Sequence, residues 1–356
     1  MSESRRHATR RAASAGFSLV ELLVAMVVGL FLLAGVISIF VNSRESFRVN
    51  ENLSRVQENS RFSFEILMRE IREAGIVPCG MPFTSPRMAN VVAATPPWWA
   101  DWAGGTLVGY DGGQAAPAKA TGTGATARVA GTDAITVLRP VSDESAIQLV
   151  SAHAAGSNQF TVPSARGFAA GDVVIACDKK DAALLKVSGI GGSPPVTVSY
   201  GTTGPAANCS ANLGYPTGTC GATSPGKTVE AGGMLVKFDP VFWYVGYNAS
   251  GGKSLYRIQL TKTAGAPTPE AQEMVSNVTD MQIEYLTRDG ASGGTLATAW
   301  VPANHAVFAG GWSLSNTQQV VAVRIALTFE SEEKVNGAPL QRKFIAVSAL
   351  RNRDRL

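Results

Sequence analysis

Few residues in this chain can do chemistry, and their spacing narrows what that chemistry is. The thiols are Cys79, Cys177, Cys209 and Cys220, and the imidazoles are His7, His153 and His305. No histidine stands at metal-ligand spacing from a cysteine, so a zinc site is not expected. No G-x-S-x-G elbow, H-E-x-x-H pair or phosphate-binding G-x-x-x-x-G-K-[ST] loop occurs. The glycine-rich run over residues 122–131 lacks the lysine and the strand–helix setting that such a loop needs. Asp111, Asp133, Asp172, Asp178, Asp181, Asp239, Asp280 and Asp289 miss the calcium-loop spacing and read as residues of turns and strand ends. No catalysis and no cofactor is expected. The cysteines can cross-link. Cys209 and Cys220 flank a loop-like stretch, Asn212 to Thr219, where a disulfide would staple a flexible excursion. Cys79 is then left for Cys177, joining the region after the first helix to the sheet. Four cysteines allow three pairings, and this one is preferred.

Two more features have chemical meaning, both near the amino terminus. Glu21 is a carboxylate at the very edge of an apolar run. It either reaches the headgroups and does nothing or serves a specific partner within a protein assembly. Gly16-Phe17 is the best small-residue junction, and it lies before that run rather than after it, unlike an ordinary secretory signal. A cut there would create an amine four residues from Glu21, on the first helical turn.

The element that must carry these residues is a helix. From Leu22 to Val41 there are 20 residues, none charged, with Ser38 the only hydroxyl. At 1.5 Å per residue they span roughly 30 Å, the hydrocarbon thickness of a bilayer. Arg5, Arg6, Arg10 and Arg11 precede them, and residues 1–16 hold +3 of the formal net charge of +4, leaving +1 for the remainder. A nearly neutral body has no footprint for nucleic acid; the basic leader orients the segment in a membrane instead. Val49, Leu53, Val56, Phe64, Leu67 and Ile71 continue at helical spacing, which predicts an amphipathic extension packed on the body and ending near Ala74, before Gly75 and Pro78. On its outer side Arg61 and Glu65, and Arg69 and Glu73, stand four apart.

The expected domains are therefore 1–16 as a cleaved leader, 17–41 as a transmembrane segment, 42–74 as its amphipathic continuation, and 75–356 as a β-rich globular body. Charged residues make up only 16% of the chain and glycine is abundant at 37 residues, which fits sheets joined by long, polar, weakly charged loops. Short apolar runs predict strands at 106–110, 134–138, 147–150, 172–177, 183–187 and 196–200. More ordered runs lie at 235–238, 242–245, 254–260, 275–280, 281–286, 320–329 and 343–347, with Gly337 and Pro339 marking a hairpin between the last two. Trp98, Trp99 and Trp102 read as a satellite core under a proline-rich loop. The class is α+β: a long helix packed on an antiparallel sheet body with a large loop-rich insertion at about 85–230.

The segment GFSLVELLVAM, residues 16–26, behind four arginines, resembles the class III signal of type IV pilins and type II secretion pseudopilins. The resemblance implies a type IV pilin-like fold and cleavage by a prepilin peptidase between Gly16 and Phe17. It also implies N-methylation of Phe17 and makes Glu21 the family's acidic assembly residue. SNVTDMQIEYLTRDG at 276–290, VVAVRIALTF at 320–329 and FIAVSALRNR at 344–353 resemble the PilW-like minor pilins. So does Cys79 shortly after Arg72-Glu73-Ala74-Gly75. The middle, 85–230, resembles nothing in that family. The function implied by the resemblance is that of a minor pilin acting in pilus assembly, initiation or a tip complex by non-covalent packing. Its body would lie in the periplasm and its helix in the inner membrane of a Gram-negative cell. Implied partners are other major and minor pilins, the peptidase, the pilus assembly platform and membrane lipid. A minor pseudopilin of type II secretion is the nearest alternative. A membrane-anchored adhesin using the insertion is a third.

Overall fold

Ser18 starts the helix. In the computed structural model, which describes residues 16, 18–76, 79, 88–102, 105–141, 146–154, 156–213, 220, 228–289, 294–309, 311–312, 318–335 and 337–350, Ser18 is extended and its Oγ accepts the Glu21 N–H at 3.2 Å. That satisfies one of the four donors a helix leaves open at its start. The helix, α1, runs Leu19–Arg72, 54 residues, or about 80 Å. It stops where Gly75 turns to φ +71°, a left-handed conformation that glycine adopts without a Cβ clash. The Gly75 N–H then donates to the Leu138 carbonyl at 2.8 Å, tying the chain's exit to the body.

The two halves of α1 have opposite environments. The side chains from Leu19 to Val41 are exposed, and the most apolar 18-residue window has a mean hydropathy of 2.9 with none of it buried. A helix of this length and apolarity can cross a membrane. Further along, Asn52, Val56, Ser60, Ser63, Leu67, Met68, Glu70 and Ile71 are buried. Their spacings put them on one face.

Among the described residues the body holds β1 (Met88–Asn90), β2 (Leu107–Tyr110), β3 (Ala134–Val137), β4 (Ile147–Gln148), β5 (Gln159–Val162), β6 (Val173–Cys177), β7 (Ala182–Lys186), β8 (Gly189–Gly191) and β9 (Val196–Ser199). After them come β10 (Met234–Lys237), β11 (Val241–Tyr247), β12 (Lys253–Thr263), β13 (Ala266–Ser276), β14 (Val278–Asp289), β15 (Val301–Pro302), β16 (Gln318–Val335) and β17 (Ala338–Ala349). They form a sheet of order β15-β14-β16-β17, a second of order β13-β12-β11-β3-β2, a third of order β1-β7-β6-β10-β4, and a small one, β5-β9-β8. All pairings are antiparallel except β1 on β7.

The helix packs on the first of these sheets. Strict alternation turns Val323, Ile325, Leu327 and Phe329 of β16 inward, and Met281, Ile283 and Tyr285 of β14 with them. They share one core with Val56, Leu67, Met68 and Ile71 of α1 and with Ile135, Val137, Val241, Trp243 and Leu255 of the second sheet. The opposite face of that second sheet carries Phe242, Tyr244, Tyr256 and Ile258 into a smaller core, against which Trp98 packs. Residues 85–230 contain β1–β9 between long connections, and the third and small sheets enclose an apolar cluster of their own around Phe160, Val174, Leu185 and Tyr200. Trp99 and Trp102 are buried against the other face of the third sheet with Ile175, Leu184 and Phe238.

The strands differ from the sequence expectation in places. Residues 275–280 read as one strand, but Asn277 at φ +61° divides β13 from β14. β13 itself runs against the sequence pattern, because Pro267 and Pro269 argue against a strand. It is an edge strand, where a missing N–H leaves no ladder bond unmade on the open side.

Candidate functional site

Gly16 and Glu21 stand together at the exposed start of α1, while Phe17 lies outside the described residues. No atom lies within 4 Å of where a Cβ on Gly16 would sit, so the fold itself makes no demand for glycine there. Glu21 is exposed, in the first turn of the helix. Ser18-Leu19-Val20-Glu21 has the S-x-x-E spacing of a capping box, and a carboxylate in the first turn faces the positive end of the helix dipole. In this structure it is the Glu21 backbone N–H that takes part in the cap, through Ser18 Oγ.

At the other end of the helix is a cluster that sequence reasoning missed entirely. Glu70 is 1% exposed. Its Oε1 lies 3.1 Å from Arg139 Nη2 and 2.9 Å from Arg257 Nη2, and its Oε2 accepts the indole N–H of Trp243 at 2.6 Å. Arg139 also pairs with Glu73 at 2.7 Å and with Asp239, which Arg257 reaches at 3.2 Å. Three carboxylates and two guanidiniums from α1, β12 and the ends of β3 and β10 therefore meet at one point, with the indole from β11. Such a group holds only when every member keeps its partner, since a buried charge left alone is costly. The cluster fastens the helix to the second sheet. Glu73, expected to face Arg69 along the helix, turns to Arg139 instead.

The comparisons with known proteins match both ends of this arrangement. Residues 11–37 match the prokaryotic N-terminal methylation motif, and residues 242–350 match the family of type IV pilus-assembly protein W. The carboxy-terminal part of the chain is thus similar to PilW proteins, and its amino terminus carries a prepilin-type motif. No curated protein matches it. The second match begins inside β11 and ends one residue past β17, so it supplies Trp243 and Arg257 to the cluster. Glu70, Glu73, Arg139 and Asp239 lie outside both matches. Pilin and PilW families are structural assembly proteins, and among the described residues no group of three or more His, Cys, Asp or Glu is placed to hold a metal ion.

Both disulfides lie in the unmatched stretch. Cys79 is bonded to Cys177 with their Cα atoms 5.9 Å apart, and Cys209 to Cys220 at 5.3 Å, ordinary separations for a disulfide. The first joins the segment after α1 to β6. The β16–β17 hairpin also holds the helix, on the side of the body nearer the apolar half of α1. Its tip reaches back along α1, where Glu333 pairs with Arg48 at 2.8 Å and Glu332 with Arg55 at 3.4 Å. These pairs are exposed, unlike the Glu70 cluster.

Proposed function

We propose that this chain is a minor pilin of a type IV pilus that takes part in pilus assembly, initiation or a tip complex by packing its helix against other pilins. One observation carries the reading: a bare apolar half-helix led by a prepilin-type motif continues without a break into a face bolted to a PilW-type body. The apolar half is the anchor before assembly and the packing surface afterwards. The match to a pilus-assembly family over residues 242–350 favours a pilus over a secretion pseudopilus. On this reading the peptidase cuts between Gly16 and Phe17 and methylates the Phe17 amine. Ser18 survives as the N-cap with a single residue before it. The helix then sits in the inner membrane with the body in the periplasm, an oxidising compartment suited to both disulfides.

Glu21 is the group that changes surroundings on assembly. In a bilayer it stays near the interface; in a filament it is drawn among apolar helices, where a carboxylate needs a partner. The methylated amine of an adjacent subunit's first residue supplies one. Glu21→Ala is expected to leave cleavage and membrane insertion unchanged and to lower co-purification of processed protein with the other pilins. A bulky replacement of Gly16 is expected to leave uncut precursor in the membrane with a normally folded body. Mass spectrometry of the mature terminus and pull-down from sheared pili check both. Wild-type assembly by Glu21→Ala protein would remove the assembly role, and a mature terminus beyond Val41 would sink the whole reading.

A further inference from the structure

The strand at the end of an open sheet shows unpaired backbone to its surroundings. Among the described residues most such strands are short or guarded. β1, β2, β4, β5, β8 and β15 are four residues long or shorter, and β13 carries Pro267, Pro269 and Glu270. β17 is the exception. It is 12 residues long, ends the helix-bearing sheet, and among the described residues pairs with β16 alone. Beyond its last residue the Leu350 N–H donates to the Val321 carbonyl at 2.9 Å. Bonded pairs alternate along an antiparallel ladder. Phe344, Ala346 and Ser348 therefore face β16, while Lys343, Ile345, Val347 and Ala349 turn their N–H and C=O groups to the open side. The side chains of those same four residues stand on the face away from α1. Ile345 is 61% exposed and Val347 57%, whereas Phe344 and Ala346 pack on the core beneath. Arg342 and Lys343 are exposed and form no ion pair among the described residues. The charges around them are occupied: Arg324 pairs with Glu284 at 2.6 Å, and Glu330 accepts from the Gln341 amide.

We propose that the open edge of β17 is a docking strand for an extended segment of another protein, one that alternates aliphatic side chains and carries carboxylates at its carboxyl end. The segment adds to the sheet antiparallel to β17. Its main chain meets the open N–H and C=O groups of Lys343, Ile345, Val347 and Ala349. Its aliphatic side chains lie beside Ile345 and Val347, and its carboxylates reach Lys343 and Arg342. In strand addition the main chain gives affinity and the alternate side chains give selectivity. Bare aliphatic residues on a long open edge are otherwise an invitation to indiscriminate pairing, and the two cations reject strands that bring no carboxylate to them. A second copy of this chain is a poor occupant, because its own β17 brings Arg342 and Lys343 again. The geometry of the edge stands whether or not the chain enters a pilus.

The test uses the full chain in lipid nanodiscs and a short labelled peptide in which threonine alternates first with valine and then, towards the carboxyl end, with glutamate. Fluorescence anisotropy reads binding, and hydrogen exchange resolved by fragmentation mass spectrometry reads single amides. In the free chain the amides of Lys343, Ile345, Val347 and Ala349 are expected to exchange fast and those of Phe344, Ala346 and Ser348 slowly. The peptide is expected to slow the first set by at least about tenfold. A peptide with lysine in place of glutamate is expected to bind about tenfold more weakly, and one N-methylated at its valines not at all. Val347→Pro removes an outward N–H and leaves the ladder to β16 intact, so it is expected to abolish binding with the unfolding midpoint unchanged. Arg342→Glu with Lys343→Glu, both at exposed positions, is expected to reverse the preference between the glutamate and lysine peptides, and decides the matter if the proline variant does not fold. Protection of the outward amides in the free chain, equal binding of the N-methylated peptide, or a peptide preference untouched by the charge reversal would each overturn the proposal. So would self-association of the chain that Val347→Pro abolishes, which would give the edge to a second copy.

Discussion

Glu70 has no slack in its surroundings. Each carboxylate oxygen is engaged by a charged or indole donor, and its removal leaves the buried Trp243 N–H without its acceptor and takes from Arg139 and Arg257 the oxygen they share. Truncating one member of a buried ion group costs about 3–5 kcal/mol, a large share of the roughly 5–15 kcal/mol typical of a folded domain. Glu70→Ala is therefore expected to lower the unfolding free energy by about that much, while Glu65→Ala, on the exposed face one helical turn earlier, should change it by less than about 0.5 kcal/mol. Denaturant titration followed by tryptophan fluorescence reads both, since Trp243 reports directly on the cluster. In the sequence alone Glu70 is one more polar residue between apolar ones. A signal is present: it stands three after Leu67 and four before Ala74, inside the apolar face, where a carboxylate must be paired to be tolerated. Its partners are not legible, because Arg139, Asp239 and Arg257 lie 69 to 187 positions away and nothing in their neighbourhoods marks them.

Among elements, the helix and the long terminal strands are the most legible, because their patterns are long. The S-x-x-E start, the uninterrupted apolar run and the later stripe give a period that no strand imitates, and the alternation of Val323 to Phe329 is equally plain. β1, β5 and β8 escape sequence reasoning because three or four residues carry too little pattern, and β13 because its prolines argue against it. The β16–β17 hairpin is longer than its apolar pattern suggests, since its outer third is polar and contributes no apolar alternation. That outer third is what reaches Arg48 and Arg55. Exposed pairs of this kind are weak and screened by salt. A double-mutant cycle on Arg48 and Glu333 is expected to give a coupling below about 1 kcal/mol that disappears at high salt. Replacing Arg48 and Arg55 together by alanine should raise the rate of proteolytic nicking near Gly337 without moving the global unfolding midpoint. A shift of that midpoint as large as the Glu70 effect would mean the hairpin tip holds the helix as firmly as the buried cluster does.

At the scale of the molecule, the seam between the second sheet and the helix-bearing sheet runs through Asp133. Its N–H donates to Met281 O at 2.8 Å, and its Oδ2 accepts the Ile283 N–H at 2.7 Å. Burial, with Asp111 nearby, pushes its carboxyl up from 3.8 to about 6. A carboxyl raised on folding favours the folded state while it is protonated. Its contribution is full below about 3.8 and is lost as pH rises through about 6. Asp133→Asn imitates the protonated form, so its unfolding midpoint should gain on the wild type between about pH 4 and pH 7. Parallel denaturation curves with no pH-dependent gap would show that Asp133 does not titrate in that window.

The helix is closed over by β17, far along the chain. Ser348 Oγ on β17 lies 3.4 Å from the Met68 carbonyl, 280 positions earlier, and Leu350 shares the core with Leu67 and Ile71. Synthesis runs in one direction, so the helix is made long before its cover exists. Until β17 emerges, the face bearing Leu67 and Ile71 waits without its partner. A chain cut short within β17 would keep its apolar half-helix, yet the buried half would be loose on the body. The grip of the body on the helix is therefore completed only when β17 has been made.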